Sequence, residues 1–157
     1  MSRSVTRVAE AARALGLDVS IKTMPNTTRS AADAAEACDC EIGQIVKSLI
    51  FEGTSSGTLK LILISGRHDL DLTRAEQIFG EPLRRADPKR VRAETGFAIG
   101  GVSPIGHLTP PETWMDDALL TYPVVWAAAG APNAVFSADP CTLAEATRAR
   151  VFVNGSG

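Results

Sequence analysis

Val5, Val8, Ala9, Ala12 and Leu15 recur at the three- and four-residue spacing of one helical face, and Gly16 stands where a helix exit glycine belongs. This spacing predicts an amphipathic helix over 3–15. Asp18–Met24 alternates in the manner of a strand, which Pro25-Asn26 would end. Thr28 or Ser30 can cap an Ala-rich helix over Ala31–Cys38, followed by a turn at Glu41–Gln44. Ile45–Phe51 and Leu59–Ser65 are dense in Ile, Leu and Val and flank Gly53-Thr54-Ser55-Ser56-Gly57, which predicts a β-hairpin.

In the second half, Asp71 or Thr73 opens a short helix through Phe79 that Gly80 and Pro82 stop. Asp87-Pro88 joins an N-cap to a proline at the first helical position and predicts a helix over Lys89–Glu94, with Gly96 as its exit. Phe97–His107 reads as a strand running into a Gly/Pro loop, and Thr109–Glu112 as a second loop. Val124–Ala128 and Ala134–Ala138 read as strands turned by Gly130-Ala131-Pro132-Asn133. Asp139-Pro140 repeats the capping device and opens a last helix to about Arg150. Strands and helices mix without βαβ alternation, repeat or linker. The expectation is one α+β domain over 1–157, with a central mixed, mostly antiparallel sheet flanked by helices.

Composition narrows the class without changing that picture. The 157 residues are 45% hydrophobic and 22% charged, with a net charge of -2, which excludes a disordered, collagen-like or coiled-coil chain. No apolar run approaches the ~18 residues of a membrane span. Arg3 and Arg7 are not followed by the apolar stretch of a signal peptide, so the cytoplasm is the expected compartment. Cys38, Cys40 and Cys141 are odd in number and lack paired zinc spacing; they read as buried small hydrophobes or inert thiols.

The usual catalytic sets are missing: no serine elbow, no HExxH, no Walker loop, and Gly100-Gly101 does not complete GxGxxG. The acid pairs Asp69/Asp71 and Asp116/Asp117 sit beside turns, where acids cap or are solvated. His68 reads as a solvated turn residue. Two features remain. Lys47 interrupts Ile45–Phe51, on one strand face with Ile45, Leu49 and Phe51 and opposite Val46, Ser48 and Ile50. It is either an edge-strand lysine reaching water, which composition alone favours, or an ammonium aimed into a pocket to attract a phosphate or carbonyl. Gly100-Gly101-Val102-Ser103-Pro104 is either a plain turn or a loop whose amides can face an oxyanion.

The strand Ile45-Val46-Lys47-Ser48-Leu49-Ile50-Phe51, with Gly96–Gly106 containing a GxxxP loop about fifty residues later, resembles the YbaK/EbsC family. These are free-standing relatives of the editing domain inserted in bacterial prolyl-tRNA synthetase. The resemblance spans nearly the whole chain. It implies a mixed α+β fold that hydrolyses the ester of a mischarged aminoacyl-tRNA, with no metal or cofactor. It places Lys47 as the essential lysine and Gly100, Gly101, Val102, Ser103 and Pro104 as the loop shaping the aminoacyl pocket. Ser48 falls at a small polar position beside the lysine. Gly130 and Asn133 lie near a pocket-lining loop, where Ala127–Ala129 supply no polar group, which favours a small amino acid such as Ala, Ser or Cys on tRNA for proline or a related tRNA.

The mechanism expected from this set is orientation plus charge stabilisation of an already labile ester. A lysine is a poor base at neutral pH unless strongly desolvated, so Lys47 would serve as a cation, with the attacking water activated by the substrate or a backbone carbonyl. His107 lacks an acidic orienter and is placed at the surface or behind the site, with contact to the tRNA end as the alternative. A net charge of -2 requires a local basic patch for RNA, and Arg84, Arg85, Lys89, Arg90 and Arg92 against Asp87 form the densest one. A solvated helix face is the commoner explanation of such a cluster. A synthetase could supply tRNA selection. Two other readings stay open: a non-catalytic module that binds aminoacyl-tRNA or a synthetase, and a hydrolase of another small ester or thioester.

Overall fold

Four of the five described α-helices begin at a short polar side chain that takes up otherwise unpaired amide groups, and the fifth continues from a 3-10 turn capped in the same way. In the computed structural model, which describes residues 2–24 and 30–154, Ser2 accepts the Val5 amide at the start of α1 (Arg3–Ala14). Ser30 does the same for Asp33 in α2 (Ala31–Cys38). Asp71 accepts the Thr73 amide in a 3-10 turn that leads into α3 (Ala75–Phe79). Asp87 and Asp139 precede prolines in α4 (Pro88–Thr95) and α5 (Pro140–Thr147). The strand end expected at Pro25-Asn26 and the alternative cap Thr28 lie outside the described residues.

The strands divide between two sheets. The larger has the order β4 (Leu83–Arg85), β2 (Val46–Gly53), β3 (Leu59–Ser65), β5 (Glu112–Asp116), β8 (Arg150–Phe152). β2 and β3 form the expected hairpin, with Lys47 opposite Ile64, whereas β3–β5 and β5–β8 are parallel. The smaller sheet is antiparallel, β1 (Ile21–Thr23), β7 (Ala134–Ala138), β6 (Val125–Ala131). A single parallel bridge between Ile45 and Trp126 links the two. The fold is α+β.

Strand alternation sorts β2 between two apolar clusters. Val46 and Ile50 join the main core with Leu61, Leu63, Val125, Phe136 and the buried face of α1. Leu49 and Phe51 pack instead with Ile62, Ile64 and Phe79. Ile45 departs from the expected face: it precedes the strand and packs on Ala34 and Ala35 of α2.

The strand expected to open Phe97–His107 does not form, whereas the Gly/Pro loop expected to follow it does. Gly96, Gly100 and Gly106 take φ of +82°, +98° and +83°, so the segment turns three times and cannot stay extended. β4 and β8 were not anticipated; at three residues each they are too short to show alternation. The last helix stops at Thr147, because Arg148 adopts the left-handed conformation and frees the chain to enter β8.

Candidate active site

On the edge of β2 away from β3, no described strand pairs with residues 46–50: the bridge to β6 is at Ile45 and β4 joins only from Phe51. A cavity of about 380 Å³ occupies this gap, walled by β2, the start of α2, β6 and the loop from Ile99 to Val102. Lys47, Ser48, Gly100 and Val102 all line it, and its other walls are apolar apart from Ser30. Among the described residues no carboxylate or imidazole lines it. A larger hollow of about 520 Å³ between α1 and β1 contains none of the residues singled out by the sequence.

The Lys47 side chain is 25% exposed, and its ammonium donates to the main-chain oxygen of His68 and to Asp69 Oδ1 at 3.2 Å. An ammonium carries three donors, so one has no partner among the described residues and can serve a ligand. Asp69 is fully exposed, which makes that ion pair weak. Ser48 Oγ is buried without a hydrogen-bond partner among the described residues. A buried, unpaired hydroxyl is costly, and a polar atom of a bound molecule would relieve it.

His68 is not a solvated turn residue. Its Nδ1 lies 3.0 Å from Oδ2 of Asp116, a fully buried carboxylate. The same oxygen accepts from the Ser65 amide at 3.1 Å and Asn154 Nδ2 at 3.3 Å, while Oδ1 caps Ala118 as acids beside turns commonly do. The pairing depends on β3 and β5 lying side by side, which no local pattern reveals.

The glycine–proline loop presents only part of itself to the cavity. Gly100 and Val102 line it. Gly101 is buried against β6, where an added Cβ would stand 3.0 Å from Ala131 Cα, and its amide donates to Ala98 at 3.0 Å. Ser103 is fully buried; its hydroxyl accepts the Ile105 amide and its carbonyl accepts His107 Nε2 at 2.6 Å. Pro104 faces away, into a second cavity of about 420 Å³ that it shares with His107. Arg7 of α1 ties the segment together, donating to Gly106 at 2.7 Å and Gly96 at 2.9 Å.

His107 therefore lies apart from Lys47. Burial pushes its pKa down to about 4 and its ring packs edge-on against Phe97. Gly130 touches α1, where a Cβ would meet the Ser4 carbonyl group at 2.9 Å, and Asn133 bonds the Met24 carbonyl at 3.4 Å. Neither lines the cavity; Trp126, Ala127, Ala128 and Pro132 of the same region do. Arg84 and Arg85 (on β4) and Lys89, Arg90 and Arg92 (on α4) gather beyond the Phe51 end of β2, ~13 Å along the strand from Lys47. Glu52 binds both the exposed Arg84 and Arg90, and Glu94 also binds Arg90, so Arg85, Lys89 and Arg92 are the exposed cations of this group without an ion-pair partner among the described residues. Burial raises the thiol pKa of Cys38, and that of Cys40 to about 11, as suits unreactive cysteines. Among the described residues no cluster of His, Cys, Asp or Glu could hold a metal, and no helix is long and apolar enough to cross a membrane.

The family model of the aminoacyl-tRNA editing domain matches residues 25–146, a stretch that contains both Lys47 and the Gly100–Pro104 loop. The chain belongs to the aminoacyl-tRNA editing domain family. YwhH of Bacillus subtilis, an uncharacterised protein, is 32% identical over 77% of this editing domain and 76% of its own length. EbsC of Enterococcus faecalis, named as a candidate Cys-tRNA(Pro)/Cys-tRNA(Cys) deacylase, is 30% identical over 75% and 77%. A crystal structure described as a candidate trans-editing enzyme for prolyl-tRNA synthetase superposes with a TM-score of 0.92 at 46% identity, covering 100% of this chain and 99% of that one. The YbaK/EbsC resemblance drawn from the lysine strand and the glycine–proline loop agrees with these matches.

Proposed function

We propose that this editing domain is a trans-acting deacylase that hydrolyses the ester of mischarged tRNA carrying a small amino acid such as Ala, Ser or Cys, on tRNA for proline or a related tRNA. The observation that carries the reading is that Lys47 and Gly100 line one cavity of about 380 Å³. That volume lies at the lower end for small-molecule sites and suits one aminoacylated ribose. The walls from Ala127, Ala128 and Val102 offer no charge to a long polar side chain, and EbsC is named for cysteine removal.

In this mechanism the free donor of the Lys47 ammonium holds the terminal phosphate or ester carbonyl, and Ser48 Oγ bonds a polar group of the aminoacyl moiety. Main chain at Gly100 faces the developing oxyanion. The Gly101 amide is engaged by Ala98, so it joins only if that turn opens. With no acid or imidazole on the cavity wall among the described residues, the water is activated by a substrate hydroxyl or amine, or by a main-chain carbonyl. Arg85, Lys89 and Arg92 bind the tRNA backbone, and a synthetase is a fitting partner for tRNA selection.

The same lack of a wall base favours one second reading, a module that binds aminoacyl-tRNA without cleaving it. A panel of labelled Ala-, Ser- and Cys-charged tRNAs separates the two. Loss of label from at least one member supports the deacylase, and binding without loss supports the module.

A further inference from the structure

The position of the Lys47 ammonium is set by a main-chain atom, and that atom belongs to a turn held from below. Ser65 ends β3, and the chain then doubles back: the Gly66 amide donates to Ile45 at 2.7 Å and the His68 amide to Ser65 at 2.9 Å. A side chain at Gly66 would collide with the Ile42 carbonyl at 2.3 Å, so the turn closes tightly against the start of β2. Ser65 Oγ adds a bond to the Gly43 carbonyl at 2.7 Å. Beneath this turn sits Asp116, wholly buried, receiving the Ser65 amide, the His68 imidazole and Asn154 on one oxygen. His68 thus faces two ways. Its ring is fixed on Asp116 and its carbonyl oxygen accepts from Lys47.

We propose that Asp116 and His68 are positioning residues for Lys47: the buried carboxylate fixes the imidazole, and the fixed residue aims its carbonyl at the ammonium. Exposed Asp69 cannot do this alone, because a solvated carboxylate holds a flexible lysine only weakly. Asp116 is an acceptor, so His68 presents Nδ1–H to it and the imidazole need not enter the reaction. This inference rests on the editing reading for its kinetic consequence, but the geometry of the ammonium does not depend on it.

The test compares His68→Ala with His68→Asn in the full chain, with Asp116→Asn as a third variant. An asparagine Nδ2 stands where the imidazole Nδ1–H stands, so it can keep the bond to Asp116; alanine cannot. Two readouts are taken on samples whose thermal unfolding is recorded: steady-state deacylation, and the nitrogen-15 NMR signal of the Lys47 ammonium, which survives exchange only while hydrogen-bonded. His68→Ala should lower kcat ten- to a hundredfold with KM little changed, as expected of ~1 Å misplacement. It should also lose the ammonium signal, as should Asp116→Asn. His68→Asn should keep the signal and recover kcat to within about threefold of the unaltered protein. If His68→Ala retains the signal, the proposal is overturned whatever the activity does. If His68→Asn is as inactive as His68→Ala with the signal intact, the imidazole itself acts and the proposal is again overturned. Should the unaltered protein release no amino acid from any tRNA, the editing reading fails, while the ammonium signals still decide whether His68 positions Lys47.

Discussion

Arg7 donates through Nη2 to the carbonyl oxygen of Gly96 at 2.9 Å, while its Nε reaches Gly106 at 2.7 Å and its guanidinium covers the Phe97 ring at 4.9 Å. One planar fork from α1 therefore clasps both ends of the glycine–proline segment. A lysine has the charge but not the fork. Arg7→Lys should cost about 1–3 kcal/mol in urea unfolding and lower the deacylation rate. Wild-type stability in that variant would show that the clasp is incidental.

Gly101 is constrained by its surroundings rather than its backbone angle. With Ala131 Cα 3.0 Å from the place a Cβ would take, Gly101→Ala must push the loop off β6 or shift β6 itself. The expected cost is about 1–3 kcal/mol, typical of overpacking, together with a weaker kcat because Gly100 moves with its neighbour. Thermal unfolding and initial rates, measured on the same preparation, check both effects.

Two titrations separate along the pH axis. His107 has a folded pKa near 4 against its ordinary 6.5, since burial disfavours the cation. The unfolded chain binds this proton first, so stability falls as pH drops from 6.5 toward 4. His107→Gln should flatten the curve in that window. Glu81 is held down to about 2 from 4.5, chiefly by the Ser56 amide, with Ser55 and Lys60 assisting. Its contribution is complete above pH 4.5 and lost as pH falls toward 2. Glu81→Gln should therefore lower stability throughout the range above pH 4.5 and flatten the fall between pH 4.5 and 2.

The basic cluster should divide by function. Arg90 is engaged by Glu52 and Glu94, so Arg90→Ala should lower stability more than RNA affinity. Arg85→Ala and Lys89→Ala face solvent and should each weaken tRNA binding while reducing the salt slope by about 1. Equal slopes in all three variants would remove the patch from the tRNA interface.

Local chemistry announced the helices of this fold clearly. Ser30, Asp87 and Asp139 carry their caps in the sequence itself, and the Ile/Leu/Val density around Gly53–Gly57 specifies the hairpin. Phe97–Ile99 misled because its residues suit a strand, while the left-handed angles of Gly96, Gly100 and Gly106 are a property of the folded chain. The Lys47 strand and the glycine loop were legible because each is contiguous. Their meeting at one pocket was expected from the family resemblance rather than from any local pattern; the Arg7 clasp and the Asp116–His68 pair were not legible. These arise from the parallel pairing of β3 with β5 and from α1 packing across the loop, contacts between residues far apart in sequence.

If the Lys47 cation drives ester cleavage in the cavity it shares with Gly100, its removal must abolish turnover. The most direct measurement is single-turnover release of labelled alanine, serine or cysteine from mischarged tRNA, comparing the unaltered protein with Lys47→Ala at matched thermal stability. Rapid release by the former from at least one substrate, and only the spontaneous rate with the latter, is the expected result. Undiminished release by Lys47→Ala would contradict it.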